Sequence, residues 1–199
     1  MVQQVDVLIC GSGSAGLCAA TWFARTGISC KILEKRLEPM KLGQADGVQC
    51  RTVEVFESFG ISEELLRAAY HVLEVTFWSS NASGNLARTS RTADSIPGLS
   101  HQPHLILNQA SINRFLLDAM RSFNGQEVSY GYTVEDIRVD TAASAQMDAY
   151  PVEVTAKKDG REEIFKAKYV LVRFPSNILS PFLQKSRVVT AHIVTCADH

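Results

Sequence analysis

Six residues near the amino terminus, Gly11-Ser12-Gly13-Ser14-Ala15-Gly16, constrain the fold of this chain more than any other stretch. They follow an unbroken apolar run that ends at Cys10, the pattern of a strand buried on both faces of a parallel sheet. After them Ala15, Cys18, Ala19, Trp22 and Phe23 recur at helical spacing, and Gly27 stands where a helix stops. Residues 29–33 read as a second short strand that ends in Glu34. Strand, glycine turn, helix and strand make a βαβ unit of about 30 residues, whose crossover is right-handed almost always.

The glycines spell GxGxxG in the context that gives the pattern chemical meaning, a strand ending before it and a helix beginning within it. Gly11 permits the tight turn, Gly13 lets the backbone approach a pyrophosphate, and Gly16 allows helix and sheet to touch. The start of the helix offers N–H groups and a partial positive charge to phosphates. Glu34 follows Gly16 by 18 residues, near the offset at which an acid reaches the ribose hydroxyls of a dinucleotide. A carboxylate there repels a 2′-phosphate, so the site suits FAD or NAD and disfavours NADP.

Beyond this unit, residues 51–59 and 63–70 read as short helices separated by the stop at Gly60, with Ser62 as the N-cap of the second. Residues 72–78 and 86–92 flank the turn Asn81-Ala82-Ser83-Gly84-Asn85 and suit a hairpin of a second, antiparallel layer. Residues 105–107 read as a short strand, and Ile112, Phe115, Leu116, Ala119, Met120 and Phe123 form a helical stripe that should pack on a sheet. Segments 127–130, 134–139, 152–156 and 162–165 look like strands of another antiparallel layer, and 169–172 like a last apolar strand. Pro175, Ser176, Asn177 and Pro181 break any regular pattern after it.

Composition excludes several functions. The net charge is -1 with acids and bases interspersed, so no single-sign field exists to attract nucleic acid or an anionic membrane. No apolar run approaches the roughly 20 residues that span a bilayer, and the first residues lack a basic flank and an apolar core, so a soluble, cytoplasmic protein is expected. Five scattered cysteines without CxxC spacing argue against disulfides and zinc, and Cys10, Cys18 and Cys30 read as buried small hydrophobes. His101 and His104 form an HxxH without a suitable third ligand, so no metal site is expected. Lys35-Arg36 and Lys157-Lys158 read as solvated pairs, and no nucleophile elbow supports a hydrolase.

The stretch Asp6-Val7-Leu8-Ile9-Cys10-Gly11-Ser12-Gly13-Ser14-Ala15-Gly16-Leu17 is similar to the N-terminal fingerprint of FAD-dependent class A aromatic monooxygenases. Gly43-Gln44-Ala45-Asp46-Gly47-Val48-Gln49-Cys50-Arg51-Thr52-Val53-Glu54 resembles the loop-to-helix segment of the phenol 2-monooxygenase branch. Leu107-Asn108-Gln109-Ala110-Ser111-Ile112-Asn113-Arg114-Phe115-Leu116 resembles the family stretch whose glutamine contacts FAD before a long helix. The resemblance implies a truncated class A flavin monooxygenase fold of the α/β class. Residues 1–70 and 105–172 would form a Rossmann-like FAD-binding domain with a parallel sheet, residues 71–104 part of an antiparallel substrate-domain sheet, and residues 173–199 a divergent tail.

The resemblance also implies FAD as cofactor, contacted at Gly11, Ser12, Gly13, Ser14, Ala15, Gly16, Glu34, Lys35, Gln44 and Gln109. NADPH would be the co-substrate and a small phenolic or related aromatic molecule the substrate, and a homodimer is compatible with it. Asp46 matches the family aspartate that lies close to flavin and phenol, where a carboxylate assists deprotonation of the ring hydroxyl. The likeness covers roughly the first third of a family member. Where a Gly-x-Asp-Gly-type motif is expected, Arg173-Phe174-Pro175-Ser176-Asn177 stands instead. That loss supports a second reading, a non-catalytic flavin-binding fragment or interaction protein. A third, an NAD-dependent dehydrogenase, is permitted by Glu34 but draws no support from residues 43–54.

Overall fold

The computed structural model describes residues 2–43, 45–146, 148–172 and 188–190. The first elements are β1 (Gln3–Cys10), α1 (Ser14–Thr26), β2 (Cys30–Glu34), β3 (Gly47–Val48), α2 (Cys50–Phe59) and α3 (Ser62–Ala68). Next come β4 (Tyr70–Val72), β5 (Glu74–Ser80), β6 (Leu86–Ala93), β7 (His104–Ile106) and α4 (Gln109–Asn124). The chain continues through β8 (Val128–Tyr130), β9 (Thr133–Val139), β10 (Val152–Lys158), β11 (Arg161–Val172) and β12 (Val188–Thr190). The described residues divide into two compact units, one containing the segment up to Lys41 and residues 113–172 and 188–190, the other Leu42–Ile112.

In the first unit, among the described residues, seven strands form one sheet in the order β8-β2-β1-β11-β10-β9, with β12 also beside β11. β1 runs parallel to both β2 and β11, and β8 runs parallel to β2. The apolar run of β1 is unbroken because both its faces are covered. Alternation sends Leu8 and Cys10 into one cluster with Leu33, Ile137, Val154, Phe165 and Val170. It sends Val7 and Ile9 into another with Ala20 and Ala24 of α1, Ile32 and Met120 of α4. Each large side chain buried this way contributes about 1.5–3 kcal/mol relative to exposure.

α1 ends where the sequence placed its stop. Gly27 takes a left-handed conformation with φ 74°, and the Ile28 N–H donates to the Phe23 carbonyl at 3.0 Å, the closure of a Schellman motif. Cys10 is buried, while Cys18 and Cys30 are only half-buried. Burial pushes the Cys10 thiol up to about 12 and raises the Cys18 and Cys30 thiols as well, against a hydrogen bond from Gln126 at Cys30. All three behave as unreactive small hydrophobes.

Three expectations are corrected in this unit. Residues 127–130 do not start another antiparallel layer, because β8 extends the parallel sheet beside β2. Segments 162–165 and 169–172 are one strand, β11, antiparallel to β10 in its first part and parallel to β1 in its later part. Lys166 and Lys168 interrupt the apolar pattern without interrupting the strand, since they pair with Glu153 at 3.9 Å and Asp6 at 3.0 Å while Ala167 between them is fully buried. Beyond residue 172 the short strand β12 pairs with β11, where no regular element was expected.

In the second unit, β7 lies between β3 and β4 in an antiparallel three-stranded sheet, and β5 and β6 form the expected hairpin. Its turn is held by Asn81, whose Oδ1 accepts from the N–H groups of Ser83 at 3.0 Å and Asn85 at 2.9 Å. The second short helix ends at Ala68, and Tyr70 begins β4 rather than continuing it. Ile61 occupies the N-cap of α3 and Ser62 is its buried first residue, so the cap expected of the Ser62 hydroxyl is not made. Among the described residues no helix is long and apolar enough to cross a membrane.

Candidate cofactor-binding site

The glycine loop begins where β1 ends. Gly11 adopts φ 109°, a conformation closed to most side chains, and its N–H donates to the Leu33 carbonyl at 2.8 Å. Gly13 is the extended N-cap of α1, and its carbonyl accepts the first helical bond from Leu17 at 2.9 Å. The N–H groups of the first turn lie at the positive end of the helix dipole. Ala15 and Gly16 are buried in that turn. A Cβ on Gly16 would lie 2.2 Å from the Gly11 carbonyl oxygen, so only a residue without a side chain lets α1 start this close to the turn.

Glu34 closes the loop from the end of β2. It is 5% exposed, and its Oε2 accepts from the Ser12 N–H at 2.7 Å and the Ser12 hydroxyl at 2.9 Å. Its Oε1 accepts from the Arg36 N–H at 2.9 Å, and the Arg36 guanidinium reaches Oε2 at 3.2 Å. Burial alone would raise the carboxyl, but the hydrogen bonds from Arg36 and Ser12 and the guanidinium charge outweigh it and hold Glu34 below the usual range. The result is a buried, ionised carboxylate at the mouth of a helix start.

Lys35 is exposed, and the expected solvated pair is half wrong because Arg36 turns inward. Its Nη2 approaches the Ser12 carbonyl at 3.5 Å, and its buried Nε has no hydrogen-bond partner among the described residues. Sequence reasoning also passed over Asn113. It is 2% exposed in α4, and its Oδ1 accepts from the Ser14 hydroxyl at 2.8 Å, tying the glycine loop to the helix. The signal was available, since Asn113 lies three and seven residues before Leu116 and Met120 on the apolar stripe, and a polar residue there needs a partner.

The second unit holds its own group of named residues. A Cβ on Gly43 would lie 2.4 Å from the Gln109 Cβ and 2.8 Å from its backbone nitrogen, so the loop glycine packs directly on the start of α4. Gln109 is 9% exposed. Asp46 presents an exposed side chain, while its carbonyl accepts from the Leu107 N–H at 2.7 Å and so fixes the loop beside β7. Gln44 lies outside the described residues. His101 and His104 take separate carboxylate partners, Glu57 at 2.6 Å and Asp94 at 3.0 Å.

Residues 4–172 match the FAD binding domain family. Over 174 residues the chain is 54% identical to the FAD-dependent monooxygenase terD of Aspergillus terreus, an overlap that covers 86% of this chain and 28% of that protein. It is 40% identical over 178 residues to the 3-hydroxybenzoate 4-monooxygenase of Comamonas testosteroni, covering 85% and 27% of the two chains. Among solved structures, p-nitrophenol 4-monooxygenase PnpA of Pseudomonas putida superposes with a TM-score of 0.74 at 18% identity, over 90% of this chain and 44% of that one. The chain thus spans less than a third of the length of these two curated relatives.

Proposed function

Because the chain belongs to the FAD-binding domain family of FAD-dependent aromatic monooxygenases, we propose that its first unit recognises the adenosine diphosphate half of FAD in an enzyme that hydroxylates a phenolic substrate with NADPH and oxygen. The observation that carries this reading is the Glu34 carboxylate held ionised against Ser12 at the start of α1. The site fits the group on two further counts. The clearance between Gly11 and Gly16 leaves the turn no wider than its backbone, which is what close approach of a pyrophosphate requires. The unpartnered Nε of Arg36 is a buried donor beside the ribose-binding acid, waiting for an acceptor.

Gly11, Ser12, Gly13, Ser14, Ala15 and Gly16 surround the phosphates with backbone N–H groups and the helix dipole. Glu34 accepts from the ribose hydroxyls and turns away a 2′-phosphate, so NADPH is bound elsewhere as reductant. Lys35 and Gln44 join the cofactor contacts from flanking loops, and Gln109 offers an uncharged amide to the ribityl or phosphate oxygens. Asp46 faces the phenolic substrate and holds its hydroxyl. Residues 71–104 belong to the substrate-binding sheet, with residues 1–70 and 105–172 serving the cofactor. When bound, FAD supplies the redox and oxygen chemistry of such an enzyme.

Calorimetric titration tests the assignment. FAD and ADP should bind, FMN and NADP should bind more weakly, and Gly13→Asp should abolish binding by steric and charge clash with the pyrophosphate. FMN binding as tightly as FAD would refute the role given to Glu34 and the glycine loop.

A further inference from the structure

The two serines that flank Gly13 are tied to different parts of the first unit. On one side the Ser12 hydroxyl donates to Glu34 Oε2 at 2.9 Å, at the end of β2. On the other the Ser14 hydroxyl donates to Asn113 Oδ1 at 2.8 Å, in α4. Gly11, Gly13 and Gly16 have no side chains with which to fix the loop, so its place depends on tethers of this kind. Glu34 doubles as the acid proposed for the ribose, and its counterpart on the far side of the loop is Asn113.

Asn113 is built into its position. It is 2% exposed and interrupts the apolar stripe that Leu116 and Met120 continue along α4. A buried amide is tolerated where both of its ends find partners. Its Nδ2 lies 3.8 Å from the Met40 sulfur, and a thioether can only accept. That orientation leaves the amide oxygen toward Ser14, and because the oxygen can only accept, the serine hydrogen is directed at it. Docking of α1 on α4 has other supports. Ala20 and Ala24 share a cluster with Met120, and the buried Thr21 hydroxyl reaches the Leu116 carbonyl at 3.2 Å. What Asn113 adds is local to Ser14 and the first turn of α1.

We propose that Asn113 is a positioning residue of the cofactor site, which by holding Ser14 sets the first-turn N–H groups that receive the pyrophosphate. The proposal rests on the reading of the glycine loop as the FAD site and names a residue outside that loop on which its affinity depends. Ser12 and Ser14 act as two stays on either side of Gly13, one drawn to β2 and the other to α4. Hydrogen bonds to phosphate oxygens weaken steeply with distance and angle, so a first turn released from one stay binds less well although the helix remains docked.

The test is calorimetric titration of the intact 199-residue chain with FAD, beside thermal melts of every variant. Asn113→Leu has a similar volume but cannot accept a hydrogen bond, and it should bind FAD about tenfold more weakly than wild type at temperatures where both are folded. Asn113→Asp keeps an acceptor for Ser14 in either protonation state. While its buried carboxyl is neutral it should bind FAD within about twofold of wild type, and as rising pH ionises it the new charge beside the first turn should lower affinity about tenfold relative to wild type at the same pH. A residue that serves packing alone gives neither the rescue nor the pH profile.

Folded Asn113→Leu that binds FAD within about twofold of wild type overturns the proposal, and so does an Asn113→Asp protein whose affinity relative to wild type is the same at every pH. Should Asn113→Leu not fold, the Asn113→Asp profile decides alone. A wild-type chain that does not bind FAD defeats the cofactor reading and this inference with it, whereas wild-type binding with unaffected variants defeats this inference alone.

Discussion

Replacing Gly16 with alanine tests the central geometric claim, because the structure gives the clash directly. The new Cβ would sit 2.2 Å from the Gly11 carbonyl oxygen, 3.3 Å from its carbonyl carbon and 3.3 Å from Ile9 Cγ2. Ordinary contact begins at 3.4 Å, so α1 and the turn must separate by roughly 1 Å, and the obstacle is backbone rather than a side chain that can rotate. Overpacking of this kind costs about 1–3 kcal/mol. For a chain of this size about 1 kcal/mol lowers Tm by about 2–4 °C, so Gly16→Ala should melt roughly 2–12 °C below wild type. The same displacement carries the first-turn N–H groups away from the phosphate position, and FAD affinity should fall about tenfold or more. Gly11→Ala is the useful contrast. No atom lies within 4 Å of its Cβ, so its cost comes from φ 109° alone and steric relief elsewhere cannot remove it. Thermal melts and calorimetry with FAD measure both effects. A Gly16→Ala protein that melts within a degree of wild type and binds FAD as tightly would show that the turn is looser than its geometry and that the argument from close approach is wrong.

Gly43→Ala should destabilise the second unit by about 1–3 kcal/mol, since its Cβ would meet Gln109 at 2.4 Å, and limited proteolysis should cut residues 42–112 faster. The folded-state pKa of Glu34 is lowered, so its stabilising contribution is complete above the ordinary value of 4.5 and is lost as pH falls through the lower folded value. Ser12→Ala removes one of the bonds that lowers it, which should cost about 1 kcal/mol at neutral pH and start the acid-induced drop in Tm at a higher pH than in wild type. Unchanged acid midpoints would disprove that linkage. Asp46→Asn should leave FAD affinity within about twofold of wild type, because the carboxylate is exposed and, among the described residues, it is the backbone carbonyl of Asp46 that bonds to the fold. In a version of the protein extended to the full length of its relatives, the same substitution should lower phenol hydroxylation by about tenfold or more, and equal turnover would remove Asp46 from the proposed reaction.

By itself the sequence determined the βαβ start of the fold and the chemistry that the glycine loop can support. Those features are local. The two-faced burial of residues 7–10, the helical spacing after Gly11 and the left-handed stop at Gly27 each depend on neighbours within a turn or a strand, and periodicity and backbone sterics report them faithfully. The hairpin around Asn81 was legible for the same reason, because its turn bonds span two and four residues.

Only the tertiary structure decided what lies far apart in the chain. It placed β8 beside β2, joined two apolar segments across Lys166 and Lys168 into β11, and turned the Arg36 guanidinium from solvent toward the Ser12 carbonyl. It paired Ser14 with Asn113 across 99 residues and set His104 against Asp94, partners that a pattern read along one segment does not connect. The physical reason is that a buried polar or charged group is tolerated only where its partner is supplied, and that partner is chosen by packing in three dimensions rather than by spacing along the chain.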